Sequence, residues 1–143
     1  MNRISHISLA CALTAESTQA INDGIWVTFK LRLKHDCPVK LLPWQTPLEG
    51  ILGDLFFIKD EKGSPISYKG PSLKRREPDI TDFLEVDPDQ PLINNFDLAP
   101  SYALERGKNY SITMKYSLIN IIDENNRQHF VSCHTNQLEL NIR

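Results

Sequence analysis

Four histidines (His6, His35, His129, His134) and three cysteines (Cys11, Cys37, Cys133) are the side chains in this 143-residue sequence with the greatest capacity to hold a metal or attack a carbonyl. The tightest grouping is "HFVSCH", which holds His129, Cys133 and His134. Residues 129 and 133 share parity, so a strand would present both on one face. Zinc would still need further ligands, such as His35 and Cys37 of "HDC", supplied by a distant hairpin. Solvated histidines and a buried cysteine account for the same residues with fewer demands. A helical zinc peptidase would show His-Glu-x-x-His, with both imidazoles on one helical face and the glutamate activating water. None of the four histidines is followed by glutamate. Cys133 and His134 are sequence neighbours, and neighbours on a strand face opposite ways, so they form no dyad. There is no G-x-S-x-G elbow, and the six glycines form neither G-x-G-x-x-G nor a phosphate-binding loop. The expectation is a protein that is not an enzyme, with no cofactor, no catalytic residue and no metal site. Metal binding through His129, Cys133 and His134 stands as the weakest alternative.

Charge chemistry is equally restrained. The formal net charge is −2, which gives no general attraction to nucleic acid or to an acidic membrane. One basic cluster is evident, "LKRRE", with Lys74, Arg75 and Arg76. Glu77, Asp79 and Asp82 follow at once. The cluster reads either as a contact for a phosphate or an acidic partner surface, or as a solvated loop with internal ion pairs. Neither a nucleic-acid nor a membrane partner is expected. The odd number of cysteines argues against a closed disulfide framework. Three reduced cysteines are the expectation, with one bridge plus one free thiol as the alternative. The opening "MNRISHISLACALTA" has a single early arginine and an apolar run broken by Ser5, His6 and Ser8. Ser8 also stands where a lipoprotein signal before Cys11 would need a large aliphatic residue. The expectation is a chain without an export signal of its own, cytoplasmic as written.

The elements that must carry these residues are strands. Ile7, Leu9, Cys11 and Leu13 alternate with small or polar neighbours, as do Ile25, Val27, Phe29, Leu31 and Leu33. Tyr110, Ile112, Met114 and Tyr116 repeat the pattern, and Leu138, Leu140 and Ile142 close it. A period of two gives each run one dry face and one wet face. Trp26 interrupts the wet face of the second run and is expected to cover a sheet edge or lie under a loop. Shorter strand candidates are 39–42, 55–58, 66–68, 83–86 and 93–98. "KDEKGSP", "VDPDQP" and "DENNRQ" supply the turns between strands. No comparable segment has a 3.6-residue period, so helix is limited to a turn or two. Length and pattern predict one all-β domain over residues 1–143, an immunoglobulin-like antiparallel sandwich of seven to nine strands. In "LERGKNYSITMKY", Tyr110 is either the first core residue of its strand or a tyrosine corner, its hydroxyl bonding back to the preceding turn.

The stretch "LLPWQTPLEGILGDLFFI" is too particular for an ordinary connection. Pro43 and Pro47 stiffen it, and Gly50 and Gly53 open conformations closed to other residues. Trp44 and Leu48 either pack the loop onto the sandwich or stand exposed as a partner anchor. Glu49 and Asp54 are expected to accept backbone hydrogen bonds or to pair with Lys74, Arg75 or Arg76.

This stretch, with "PISYKGPSLKRREPDITDFLEV" and "NNFDLAPSYALERGKNYSITMKY", resembles the non-catalytic N-terminal region of deuterolysin-like zinc peptidases. These are the aspzincins, which include the peptidyl-lysine metalloendopeptidases. The matching positions in the first block are Trp44, Thr46, Pro47, Leu48, Glu49, Gly50, Asp54 and Phe56. Tyr68, Gly70, Lys74, Arg75, Pro78 and Asp82 follow, then Asp97, Leu98, Tyr102, Leu104, Gly107 and Tyr110. The likeness runs from about Gly24 to the C-terminus. The family's catalytic His-Glu-x-x-His is absent. The resemblance therefore implies the sandwich of a pro-region and not peptidase activity. It implies a protein-interaction module that binds, escorts or inhibits a metallopeptidase, through Trp44, Leu48, Glu49, Lys74, Arg75 and Arg76. A structural or adhesive sandwich forming a homodimer through an edge strand is the alternative.

Overall fold

A computed structural model describes residues 6–143 of the chain. Eight strands are five or more residues long: β1 (Ser8–Thr14), β3 (Trp26–Lys34), β5 (Phe56–Asp60), β7 (Leu92–Asp97), β8 (Asn109–Met114), β9 (Leu118–Ile122), β10 (Gln128–Ser132) and β11 (Leu138–Ile142). Three stubs of two or three residues complete the set: β2 (Thr18–Gln19), β4 (Val39–Leu41) and β6 (Leu84–Val86). Among the described residues, helix is confined to two single 3-10 turns, Ile21–Asp23 and Ile80–Asp82. The second is closed by a capping box between Asp79 and Asp82. The expected segment 66–68 forms no strand. It makes only an isolated bridge from Tyr68 to Tyr102.

The strands form three sheets, ordered β1-β3-β7, β10-β9-β4-β6 and β2-β11-β8-β5. Pairing is antiparallel throughout except for β2 on β11. The architecture is an all-β sandwich in which the three sheets share one core. Val27, Phe29, Leu31 and Leu33 enter it from β3, Tyr110 and Ile112 from β8, and Ile119 and Ile121 from β9. Burial of side chains this size stabilises the fold by about 1.5–3 kcal/mol each, which makes the two-residue rhythm decisive for register.

Two local features fix the corners. The Tyr110 hydroxyl accepts the Glu105 backbone N–H at 2.8 Å across the turn that contains Gly107. Gly107 has φ +85°, a conformation that a side chain would strain. The tyrosine is therefore a corner as well as a core residue. Trp26 is 51% exposed and donates its indole N–H to the Asp23 carbonyl at 3.0 Å. It lies on the Ile21–Asp23 turn and not beneath a loop.

The cysteines overturn the reduced reading. Cys11 of β1 is bridged to Cys133, just past β10, with a Cα–Cα distance of 5.9 Å. Cys37 is the free thiol. The partners are 122 residues apart in sequence, and only the folded topology brings them together. Near the bridge, the Asn136 side chain accepts the Leu13 N–H and donates to the Leu13 carbonyl, both at 2.9 Å. One amide thus satisfies the outer edge of β1 as a neighbouring strand would.

Candidate functional site

The loop after β4 is built from within. Thr46 is 1% exposed, and its hydroxyl donates to the Pro43 carbonyl at 2.7 Å while accepting the Leu48 N–H at 3.2 Å. The Pro47 carbonyl accepts the Asn94 side-chain N–H at 2.8 Å and the Gly50 N–H at 3.2 Å. Gly50 takes φ +92°, which its missing side chain permits, whereas Gly53 has no positive φ. Leu48 is partly buried against the core, so it anchors the loop from beneath.

Trp44 is held differently. It is half-buried, and the Arg75 guanidinium lies 4.7 Å from its ring centroid. Arg75 in turn binds Glu49 at 2.5 Å. The sequence pairs acid and base here as expected, and the stack orients the indole. A partly exposed cation–aromatic contact of this kind contributes about 0.5–1 kcal/mol. Arg76 points elsewhere. It forks onto Asp82 at 2.6 and 3.1 Å, which holds the Asp82 carboxyl below its usual range. Lys74 is exposed and makes no ion pair among the described residues. The structure therefore brings Trp44, Glu49 and Arg75 together, sets Leu48 against the core, and leaves Lys74 and Arg76 outside the cluster.

Asp54 is a correction. It does not meet Lys74, Arg75 or Arg76; Lys115 binds its Oδ2, and the Tyr102 hydroxyl donates to its Oδ1 at 2.8 Å. The same hydroxyl accepts the Phe56 N–H at 3.0 Å. Burial, then the bond to Asp54, keeps the Tyr102 phenol well above its ordinary range. This chain of groups fixes the start of β5.

Trp44 and Arg75 form one wall of a groove of about 480 Å³, and Leu42, Leu118, Asn120 and Phe130 form much of the rest. The far wall is the outer face of the β9–β10 hairpin. Register sets Phe130 opposite Asn120 and Ser132 opposite Leu118. Leu118 is 51% exposed and Phe130 66%. Sequence reasoning missed both. The signal for Leu118 was present in "LINII", where apolar residues occupy both parities of one strand. A strand with a water-facing side has no need of leucine and isoleucine there. An apolar groove with an oriented indole and a protruding phenyl ring can bury one or two partner side chains. It offers no acid, base or nucleophile for a reaction.

The residues considered for a metal form no ligand set, although His129 and His134 line one cavity. Cys133 is spent in the disulfide, His129 binds Asp123 at 2.7 Å, and His35 binds Glu124 at 2.9 Å. No group of three or more His, Cys, Asp or Glu side chains is placed to hold a metal ion among the described residues. The His129 hydrogen bond, followed by the Arg127 and Asn125 N–H groups, holds the Asp123 carboxyl down at about 2. His129 and Asp123 thereby pin the tip of the β9–β10 hairpin. No known family model matches the chain, and no curated protein is significantly similar to it.

Proposed function

We propose that the chain is a non-catalytic protein-interaction module that docks a metallopeptidase catalytic domain in the groove between Trp44 and Phe130. The groove is the observation that carries this reading. A rigid aromatic stacked on arginine, facing a mostly exposed phenylalanine, is the composition of an interface hot spot. The identity of the partner comes from the likeness to deuterolysin-type pro-regions on the residues quoted above. An immunoglobulin-like arrangement fits that likeness, and the Tyr110 corner supports it.

The test uses a purified deuterolysin-like peptidase freed of its own pro-region, titrated with this protein while binding and peptide hydrolysis are followed. Wild-type protein is expected to bind and slow turnover. Phe130→Ala, at a site too exposed to disturb the fold, is expected to weaken binding by about 30-fold, the scale of a hot-spot loss. Absence of binding at micromolar concentrations, or equal binding by the variant, overturns the reading. Self-association is the second reading, since β10 is the outermost strand of its sheet and carries Phe130. A concentration-dependent dimer in sedimentation that Phe130→Ala abolishes would establish it instead.

A further inference from the structure

The outer face of β1-β3-β7 carries a feature that the core pattern of β3 hides. With Val27, Phe29, Leu31 and Leu33 turned inward, Lys30, Arg32 and Lys34 all stand outward and exposed. None of the three pairs with a carboxylate among the described residues. Arg75 and Arg76, by contrast, each have an acidic partner. Alternate residues of a strand lie roughly 6.8 Å apart, so the three cations repel one another along one row. A surface shaped for solubility alone intersperses the two signs.

The neighbours are small. Register places Ala12 beside Lys30, Ala10 beside Arg32 and Ser8 beside Lys34. The row thereby borders a shallow trough of about 320 Å³ floored by Ala10 and Ala12. On the other side, Ile93 of β7 is opposite Lys30 and 57% exposed. The face offers a line of positive charge, space for a backbone beside it, and an apolar flank for side-chain stems.

The geometry points to a docking site for an acidic, extended polypeptide segment of a partner protein, laid along β3. In an extended chain, alternate side chains repeat at the same roughly 6.8 Å. Carboxylates at every second position therefore meet Lys30, Arg32 and Lys34 in step. The row is one strand wide, and the chain carries a net charge of −2. A nucleic acid or an anionic bilayer favours a broader positive face than one row of side chains. A single acidic strand needs only the row itself. This surface lies on a different sheet from the Trp44–Phe130 groove and does not depend on the function proposed there.

The test is fluorescence anisotropy at low salt with a labelled peptide bearing glutamate at every second position. The comparison probes are a peptide of the same composition with contiguous glutamates, its glutamine counterpart, a single-stranded oligothymidylate of equal charge, and phosphatidylglycerol vesicles. Two variants of equal net charge are compared: Lys30→Gln/Arg32→Gln/Lys34→Gln and Lys59→Gln/Lys62→Gln/Lys69→Gln. Wild-type protein is expected to prefer the alternating peptide over every other probe, with affinity falling as salt rises. The β3 triple variant should lose at least about tenfold in affinity and the control less than about twofold, given three exposed ion pairs. If the triple variant does not fold, Arg32→Gln alone should lose about threefold. Equal loss in both triple variants, equal binding of the contiguous peptide, tighter binding of the oligonucleotide or vesicles, or no binding of the alternating peptide overturns the proposal.

Discussion

Breaking the Cys11–Cys133 bridge is expected to remove a large part of the stability of this protein. The partners are 122 residues apart. In the chain-entropy treatment, a link closing a loop of that length withholds about 16 cal/mol/K from the unfolded chain, or about 5 kcal/mol at room temperature. Domains of this size are stable by only about 5–15 kcal/mol, so the reduced form should sit close to its threshold. Cys133 is 1% exposed. A reduced thiol there still packs as a small apolar group, and the loss falls mainly on the unfolded side. The assay begins with a thiol count by alkylation and mass measurement in denaturant. One reactive thiol, Cys37, is expected without reductant and three with it. Urea unfolding then compares oxidised protein with the Cys11→Ala/Cys133→Ala variant. With a urea slope of about 2 kcal/mol/M, the midpoint should fall by about 2.5 M. Three thiols without reductant, or a midpoint shift below about 0.5 M, would refute the reasoning. Bridges of this kind form and persist in oxidising surroundings.

Tyr102→Phe should destabilise the fold by about 1–3 kcal/mol in the same urea assay, because it leaves the buried Phe56 N–H without an acceptor; Tyr116→Phe, at a half-exposed phenol, should change little. Asp123 is held at about 2, below its ordinary 3.8. Its contribution is therefore present above about pH 4 and lost as pH falls toward 2. Melting temperature should drop through that window in wild-type protein, and Asp123→Asn should remove that part of the pH dependence; identical profiles would show that the His129 contact does not couple to folding.

Much of the fold was legible because burial imposes a two-residue rhythm that the chain carries openly. Ile25 to Leu33 reads as β3 from its alternation alone, and "DENNRQ" marks the hairpin tip between β9 and β10. The Tyr110 corner was one of two readings open at that position, and the bond to the Glu105 N–H decides for it. The loop face of the site was partly legible as well, since Trp44, Glu49 and Arg75 do meet. Pairings set by topology were not legible. Nothing local tells Cys11 that Cys133 will stand beside it, or Asp54 that Lys115 will reach it before Arg75. Leu118 and Phe130 gain significance only once it is clear which face of β9 and β10 remains uncovered. The cations of β3 were visible, but alternation was read for its dry side, and the wet side held the row.

The bridge also has a mechanical consequence. Tension applied to the segments flanking Cys11 and Cys133 crosses from one sulfur to the other. The polypeptide between them is bypassed by the load and cannot be drawn out. The Trp44–Phe130 groove and the Lys30–Lys34 row itself lie inside that shielded span, while Ala10 of the trough floor lies just outside it. The load falls instead on β11, which lies outside the link and is held by its pairing with β8.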